Sequence, residues 1–230
     1  MQNKIIPRKP EQDKHIFTEG IDYSKTEKTS IWGIGDKATL ELLKNIEIHG
    51  KWLNLAAGDG RYNLSLLEKA DLVVVSDIDE SALSKLRQNT PNGFKAKLQT
   101  KVFDITKNFP FETSSFDGVF CTGTLHIFSR KVLEEMISEI DRVLKRTGIV
   151  IIDFSTDVKR VRLDGKPYII KDEPKYTLTE AKTTLRNLFK NYKIKMYESE
   201  VPEEILKEAN PPYTFSCKFI LLVADKEKAL

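Results

Sequence analysis

The chain of 230 residues contains only two cysteines, Cys121 and Cys217, and neither stands at metal-ligand spacing from another cysteine or from one of the three histidines. That excludes a disulfide scaffold and a cysteine-based metal site, and two isolated thiols suit a reducing cytoplasm. No apolar run approaches the roughly 20 residues of a membrane span. The longest is Phe219 to Ala224, and the N-terminus carries no apolar signal segment. The expectation is a cytoplasmic protein without a membrane partner. No block of one charge occurs either: 37 basic residues against 34 acidic ones give +3, interspersed along the chain. Nothing here demands a polyanionic partner, and no RNA-binding module is present, although so small a positive charge leaves an RNA or protein acceptor open. Without repeats or low-complexity tracts, the chain reads as one domain with one core.

What is present centres on Trp52-Leu53-Asn54-Leu55-Ala56-Ala57-Gly58-Asp59-Gly60-Arg61-Tyr62. Trp52 to Leu55 predicts a buried strand, Ala56 to Gly60 a small-residue turn, and Leu64, Leu66 and Leu67 the start of a helix. Gly58 and Gly60 let a ligand approach the backbone, and unpaired N–H groups at a helix start favour an anion. Leu72 to Ser76 is a second apolar run, and it ends in Asp77, seventeen residues after Gly60. In a doubly wound sheet, an acid there can accept hydrogen bonds from both hydroxyls of a ribose. Asp79 and Glu80 suit the N-terminus of a helix over Ser81 to Gln88.

Residues 1–35 form a polar arm with scattered apolar positions: Ile16, Phe17, Ile21, Tyr23 and Trp32. It reads either as a loose terminus or as a flap that brings Tyr23 or Trp32 to the ligand. Asp36 caps a helix through Ile46. Lys97 to Phe103 predicts a third strand tipped by Asp104, Phe116 to Cys121 a fourth that opens into Thr122-Gly123-Thr124, and Ile149 to Phe154 a fifth, apolar one. Glu134 to Leu144 predicts an amphipathic helix between the last two, with Glu134, Glu135, Glu139 and Asp141 on its wet face. Strands alternating with helices from 51 to 154 argue for a parallel sheet covered on both faces. Residues 156–177 read as a basic inserted hairpin around Leu163 to Lys166, with Lys159, Arg160, Arg162 and Lys171. Residues 178–230 supply a helix over Thr179 to Phe189, strands over Asn191 to Tyr197 and Tyr213 to Ala224, and a charged tail over Asp225 to Lys228.

Taken in order, these motifs resemble the class I S-adenosylmethionine-dependent methyltransferases, in the style of the small-molecule branch that includes quinone-biosynthesis enzymes. The resemblance covers residues 36–155. It rests on Leu53 to Arg61, Ser76 to Asp79, Phe103-Asp104-Ile105 with Phe109-Pro110-Phe111, Ser115 to Phe120, Leu125 to Phe128 and Glu139 to Lys145. It implies a Rossmann-like, doubly wound α/β sheet of seven strands, mostly parallel with the last antiparallel. It also implies S-adenosylmethionine as cofactor and a small-molecule methyl acceptor. Asn54, Ala56, Gly58 and Gly60 would hold the methionine portion, and Asp77 the ribose. Ile78 would pack on the adenine, Asp104 would accept from its amine, and the Ile105 N–H would face a ring nitrogen. Cys121 and Thr122 would meet the amino-acid end through their backbones.

Two positions depart from the family pattern: Asn54 stands where an acid is usual and Ala56 where glycine is. Asparagine loses the charge, and alanine is harmless only at negative φ. A nicotinamide enzyme is disfavoured because Arg61, not glycine, stands three positions after Gly58. His126 is the histidine nearest the expected mouth and is either a general base or packing at a helix entry. Asn210-Pro211-Pro212-Tyr213 matches the active-site tetrapeptide of amide and adenine methyltransferases but stands at the wrong place for it, and reads as a turn bordering the pocket. Asp59 is expected to face solvent, and Cys121 to be buried and inert. Acceptor choice would lie with the arm, the insertion and residues 200–213. The competing reading is a methyltransferase-like scaffold that has lost its cofactor through Asn54 and Ala56.

Overall fold

The computed structural model describes residues 21–170 and 172–226. The first twenty residues of the arm, Lys171 of the insertion and the last four residues of the tail lie outside them. Seven strands form one sheet: β1 (Lys51–Leu55), β2 (Leu72–Asp77), β3 (Leu98–Val102), β4 (Phe116–Cys121), β5 (Leu144–Arg162), β6 (Tyr192–Leu206) and β7 (Tyr213–Lys226). Their order is β3-β2-β1-β4-β5-β7-β6. The first five are parallel, and β7 runs antiparallel to both β5 and β6. The expected Rossmann-like topology, including the antiparallel last strand, is the one present.

Strand alternation builds the two layers. Leu53 and Leu55, Val119 and Cys121, and Val150, Ile152 and Phe154 join one buried cluster, with α4 (Arg130–Val143) and α5 (Leu178–Leu188) over it. Trp52, Val73 and Val75, Phe120 and Ile151 point the other way. That face is covered by α1 (Lys37–Asn45), α2 (Asn63–Leu67) and α3 (Glu80–Asn89). Gly118 on β4 stands opposite Trp52 on β1, and a Cβ at 118 would run into the indole ring, so the large side chain on one strand dictates the small one on the next. Two helices start at the residues expected, Asp36 accepting from the Thr39 N–H and Asp79 from the Ser81 N–H, while Thr177, not singled out in the sequence, caps α5 through a reciprocal box with Glu180.

The sequence reading falls short beyond Phe154. β5 continues to Arg162, β6 runs to Leu206, and with the start of β7 they extend the sheet as an antiparallel ribbon beyond register shifts at Thr156/Lys159 and Val201/Glu204. The expected hairpin is a tight turn folded back on β5, where Arg162 N donates to Lys166 O (2.8 Å) and a single bridge joins Val161 to Pro167. Part of the wet face expected on α4 is also engaged. Glu139 accepts from Phe109 N and pairs with Arg142, while Asp141 accepts from the Tyr192 hydroxyl and pairs with Lys226.

Candidate active site

The glycine turn that follows β1 meets the carboxyl end of β2. Ala57 N donates to Ser76 O (2.9 Å) and Gly58 N to Asp77 Oδ2 (2.8 Å), so the turn is tied to β2 by two of its own N–H groups. Gly60 N is taken as well, by Ala57 O (3.0 Å), so three N–H groups of the turn are occupied and the helix start expected to offer free ones, α2, has only five residues. Asp77 Oδ1 accepts from Asp79 N (2.9 Å). Both carboxylate oxygens thus hold backbone donors, to which the Ile78 N–H adds a third, and the carboxylate's about four lone-pair sites are not all taken. Burial raises the Asp77 carboxyl above its ordinary range, against the pull of those N–H groups.

Ala56 adopts φ 48°, so the condition under which alanine replaces glycine freely is not met. The left-handed backbone costs an L-residue roughly 1–2 kcal/mol, a strain the fold carries at the mouth of the site. Asn54 is buried, with its amide nitrogen 3.4 Å from Asn63 Oδ1, and it links β1 to the first residue of α2. Phe103 N donates to Asp77 O (3.2 Å), bringing the tip of β3 to the same edge. There Asp104 Oδ1 accepts from Thr106 N and Oγ1 (2.8 and 2.7 Å), Ile105 is buried, and Ile78 is half-buried. Cys121 is buried at the end of β4, its thiol pushed up by burial, and Thr122 is half-buried beside it.

Both arm residues singled out, Tyr23 and Trp32, lie on the turn. A Cβ added at Gly58 would sit 3.3 Å from Trp32 Nε1 and 3.9 Å from Tyr23 Oη. Trp32 also packs against a small cluster of Leu206, Ala209 and Tyr213 with Tyr168, whose ring centroid lies 4.4 Å from that of Tyr213. Arm, insertion and the loop before β7 therefore meet at one place.

His126 follows β4 in a single 3-10 turn, buried against Phe154. Burial, helped by the nearby positive charge of Arg160, pushes its imidazole down to about 3, so it is neutral. Its Nδ1 has no hydrogen-bond partner among the described residues.

Three features escaped the sequence reading. Asp59 does not face solvent: its side chain is fully buried and paired with Lys85 of α3 (2.8 Å). Asp153 on β5 is buried, accepts from Gly123 N (2.7 Å) and is raised by burial to about 7. An acid inside an otherwise apolar strand was the available signal. Arg61 lies over the Tyr62 ring, and its Nε is buried without a partner among the described residues. The described residues hold no cluster of metal-ligating side chains.

Residues 53–152 match the family model described as methyltransferase domain. An uncharacterised methyltransferase of Synechocystis, sll0829, is 31% identical over 99 residues, a stretch that covers 43% of this chain and 44% of that protein, less than half its length. Two solved structures share the fold. The YcgJ protein of Bacillus subtilis, 15% identical, covers 84% of this chain and 100% of its own with TM-score 0.62. Phosphoethanolamine N-methyltransferase 1 of Haemonchus contortus, in complex with phosphoethanolamine and S-adenosylhomocysteine, is 16% identical; the match covers 85% of this chain and 46% of that one, with TM-score 0.60. The stretch 53–152 is thus similar to a methyltransferase domain, and it lies within a seven-stranded Rossmann-like sheet, the fold those structures share.

Proposed function

We propose that the protein transfers a methyl group from S-adenosylmethionine to a small-molecule acceptor by in-line displacement. The observation that carries this reading is the Gly58–Asp77 link: the turn and the acid are held together, and the acid, held by backbone N–H groups, keeps acceptor capacity. A ribose with two adjacent hydroxyls matches that arrangement. Asp104 and Ile105 at the tip of β3 suit an adenine edge, with Ile78 covering its face. The buried, unpartnered Nε of Arg61 suits the methionine carboxylate, with the Cys121 and Thr122 backbones beside it. When bound, the cofactor supplies the electrophilic methyl carbon and a thioether leaving group. The chain's own part is alignment and exclusion of water, which Trp32, Tyr23 and Tyr213 serve as walls. At about 3, the His126 imidazole is a weak proton acceptor, so its contribution as a base would depend on the acceptor's pairing with Nδ1.

A small acceptor suits a site beside which Trp32, Tyr168 and Tyr213 pack into one aromatic cluster, and the Haemonchus contortus enzyme with this fold is named for phosphoethanolamine. The test is incubation with methyl-labelled S-adenosylmethionine and a cell extract split into small-molecule, protein and RNA fractions. Label is expected in the small-molecule fraction. Label confined to protein or RNA would overturn the acceptor class, and no transfer to any fraction would favour the scaffold reading.

A further inference from the structure

Lys85 belongs to none of the motifs above, yet it is 7% exposed on a helix whose neighbours Leu83 and Leu86 face the core. An ammonium group has three protons to donate, and all three find partners. They go to Asp59 Oδ2 (2.8 Å), Thr26 Oγ1 (2.8 Å) and Thr29 O (2.9 Å). Asp59 in turn accepts from Ser30 Oγ (2.6 Å) and Ile31 N (2.9 Å). One turn of helix further on, Asn89 Nδ2 donates to Lys28 O (2.6 Å). Apart from each other, every partner of the buried pair belongs to residues 26–31. That stretch lies between Tyr23 and Trp32, the two residues on Gly58, and the Lys85 ammonium also lies 5.9 Å from the Tyr23 ring centroid.

A buried ion pair contributes little net stability, because desolvation offsets the attraction, whereas its geometry fixes whatever is bonded to it. Here the bonded object is the arm. We propose that Asp59 and Lys85 form a clamp that makes residues 23–32 a fixed wall over the methionine end of the cofactor site. Lys85 is thus a positioning residue that acts on the ligand only through Tyr23 and Trp32. The inference rests on the S-adenosylmethionine reading of the site. α3 follows directly from the strand that ends in Asp77, so the clamp and the ribose acid belong to one strand-helix unit, and the arm is registered against that acid.

The experiment compares the full chain with two variants: Asp59→Asn with Lys85→Met, which removes both charges, and Thr26→Val with Ser30→Ala, which leaves the pair intact and removes two arm contacts. Each is titrated with S-adenosylmethionine and with 5′-methylthioadenosine, which has the adenine and ribose but no amino-acid portion, and hydrogen exchange is read at the Ile31 amide. The expected result is faster exchange at Ile31 and at least about a tenfold loss of S-adenosylmethionine affinity, with methylthioadenosine affinity unchanged within about twofold. Equal weakening of both ligands in a folded variant overturns the proposal. So does unchanged S-adenosylmethionine affinity with Ile31 exchange accelerated. Should the charge-removed variant not fold, the Thr26/Ser30 variant decides alone. Failure of the parent chain to bind S-adenosylmethionine would overturn the proposed function and the clamp together, whereas a binding parent with unaffected variants overturns the clamp only.

Discussion

Replacing Asp77 by alanine is expected to weaken S-adenosylmethionine binding by about 1–3 kcal/mol, roughly 5- to 150-fold, the range for losing hydrogen bonds to a charged group. The effect is large because the carboxylate acts twice. It accepts from Gly58 N and Asp79 N, which holds the turn, and its remaining acceptor sites suit the ribose. The Asp77→Asn substitution would not preserve the site, because the amide NH2 group would face the N–H of Gly58 or of Asp79. The pH dependence has a definite sign. Burial raises the Asp77 carboxyl, so acidification protonates it earlier than an ordinary aspartate, and the protonated acid has lost acceptor capacity. Affinity is therefore expected to fall as pH falls, with a slope that Asp77→Ala lacks. A folded Asp77→Ala protein with the parent's affinity in a calorimetric titration would remove Asp77 from the site.

Asp153→Asn is expected to make the protein more stable above pH 7, by an amount on the order of 4 kcal/mol. The carboxyl is raised to about 7 by burial, while a free aspartate titrates near 4. The folded chain therefore keeps a proton that the unfolded chain has released. This stabilises the fold below about pH 4, and the stabilisation is lost as pH rises through 7. The gap between the folded and unfolded carboxyl, about three pH units at roughly 1.36 kcal/mol each, gives about 4 kcal/mol. Asparagine mimics the neutral acid, and its Oδ1 can still accept from Gly123 N. Urea unfolding at about pH 5 and about pH 8 tests this: the parent should lose stability between the two and the variant should lose much less. Parallel losses would mean that Asp153 does not titrate as described.

The parallel core of the sheet was legible because β1, β2 and β4 are short and largely apolar and because Asp36 and Asp79 announce the starts of α1 and α3. The turn and Asp77 were legible because chemistry and spacing coincide there. The ribbon was not. Beyond Phe154, β5 reads Lys159-Arg160-Val161-Arg162, and β6 carries Glu198, Glu200, Glu203 and Glu204. No helix covers this part of the sheet, so no hydrophobic pattern marks it as strand. The Asp59–Lys85 pair was hidden for a different reason. A lone acid in a turn faces solvent by default, and its partner stands 26 residues away on a helix face that otherwise reads as ordinary. The positive φ of Ala56 is likewise a property of how the turn is tied to β2, which residue type alone does not disclose.

Calorimetric titration of the purified chain with S-adenosylmethionine, alongside S-adenosylhomocysteine and NADH, tests the central claim most directly. The account predicts saturable binding of the first two in the micromolar range and none of NADH. Folded protein that binds neither sulfur ligand, or that binds NADH instead, would contradict it.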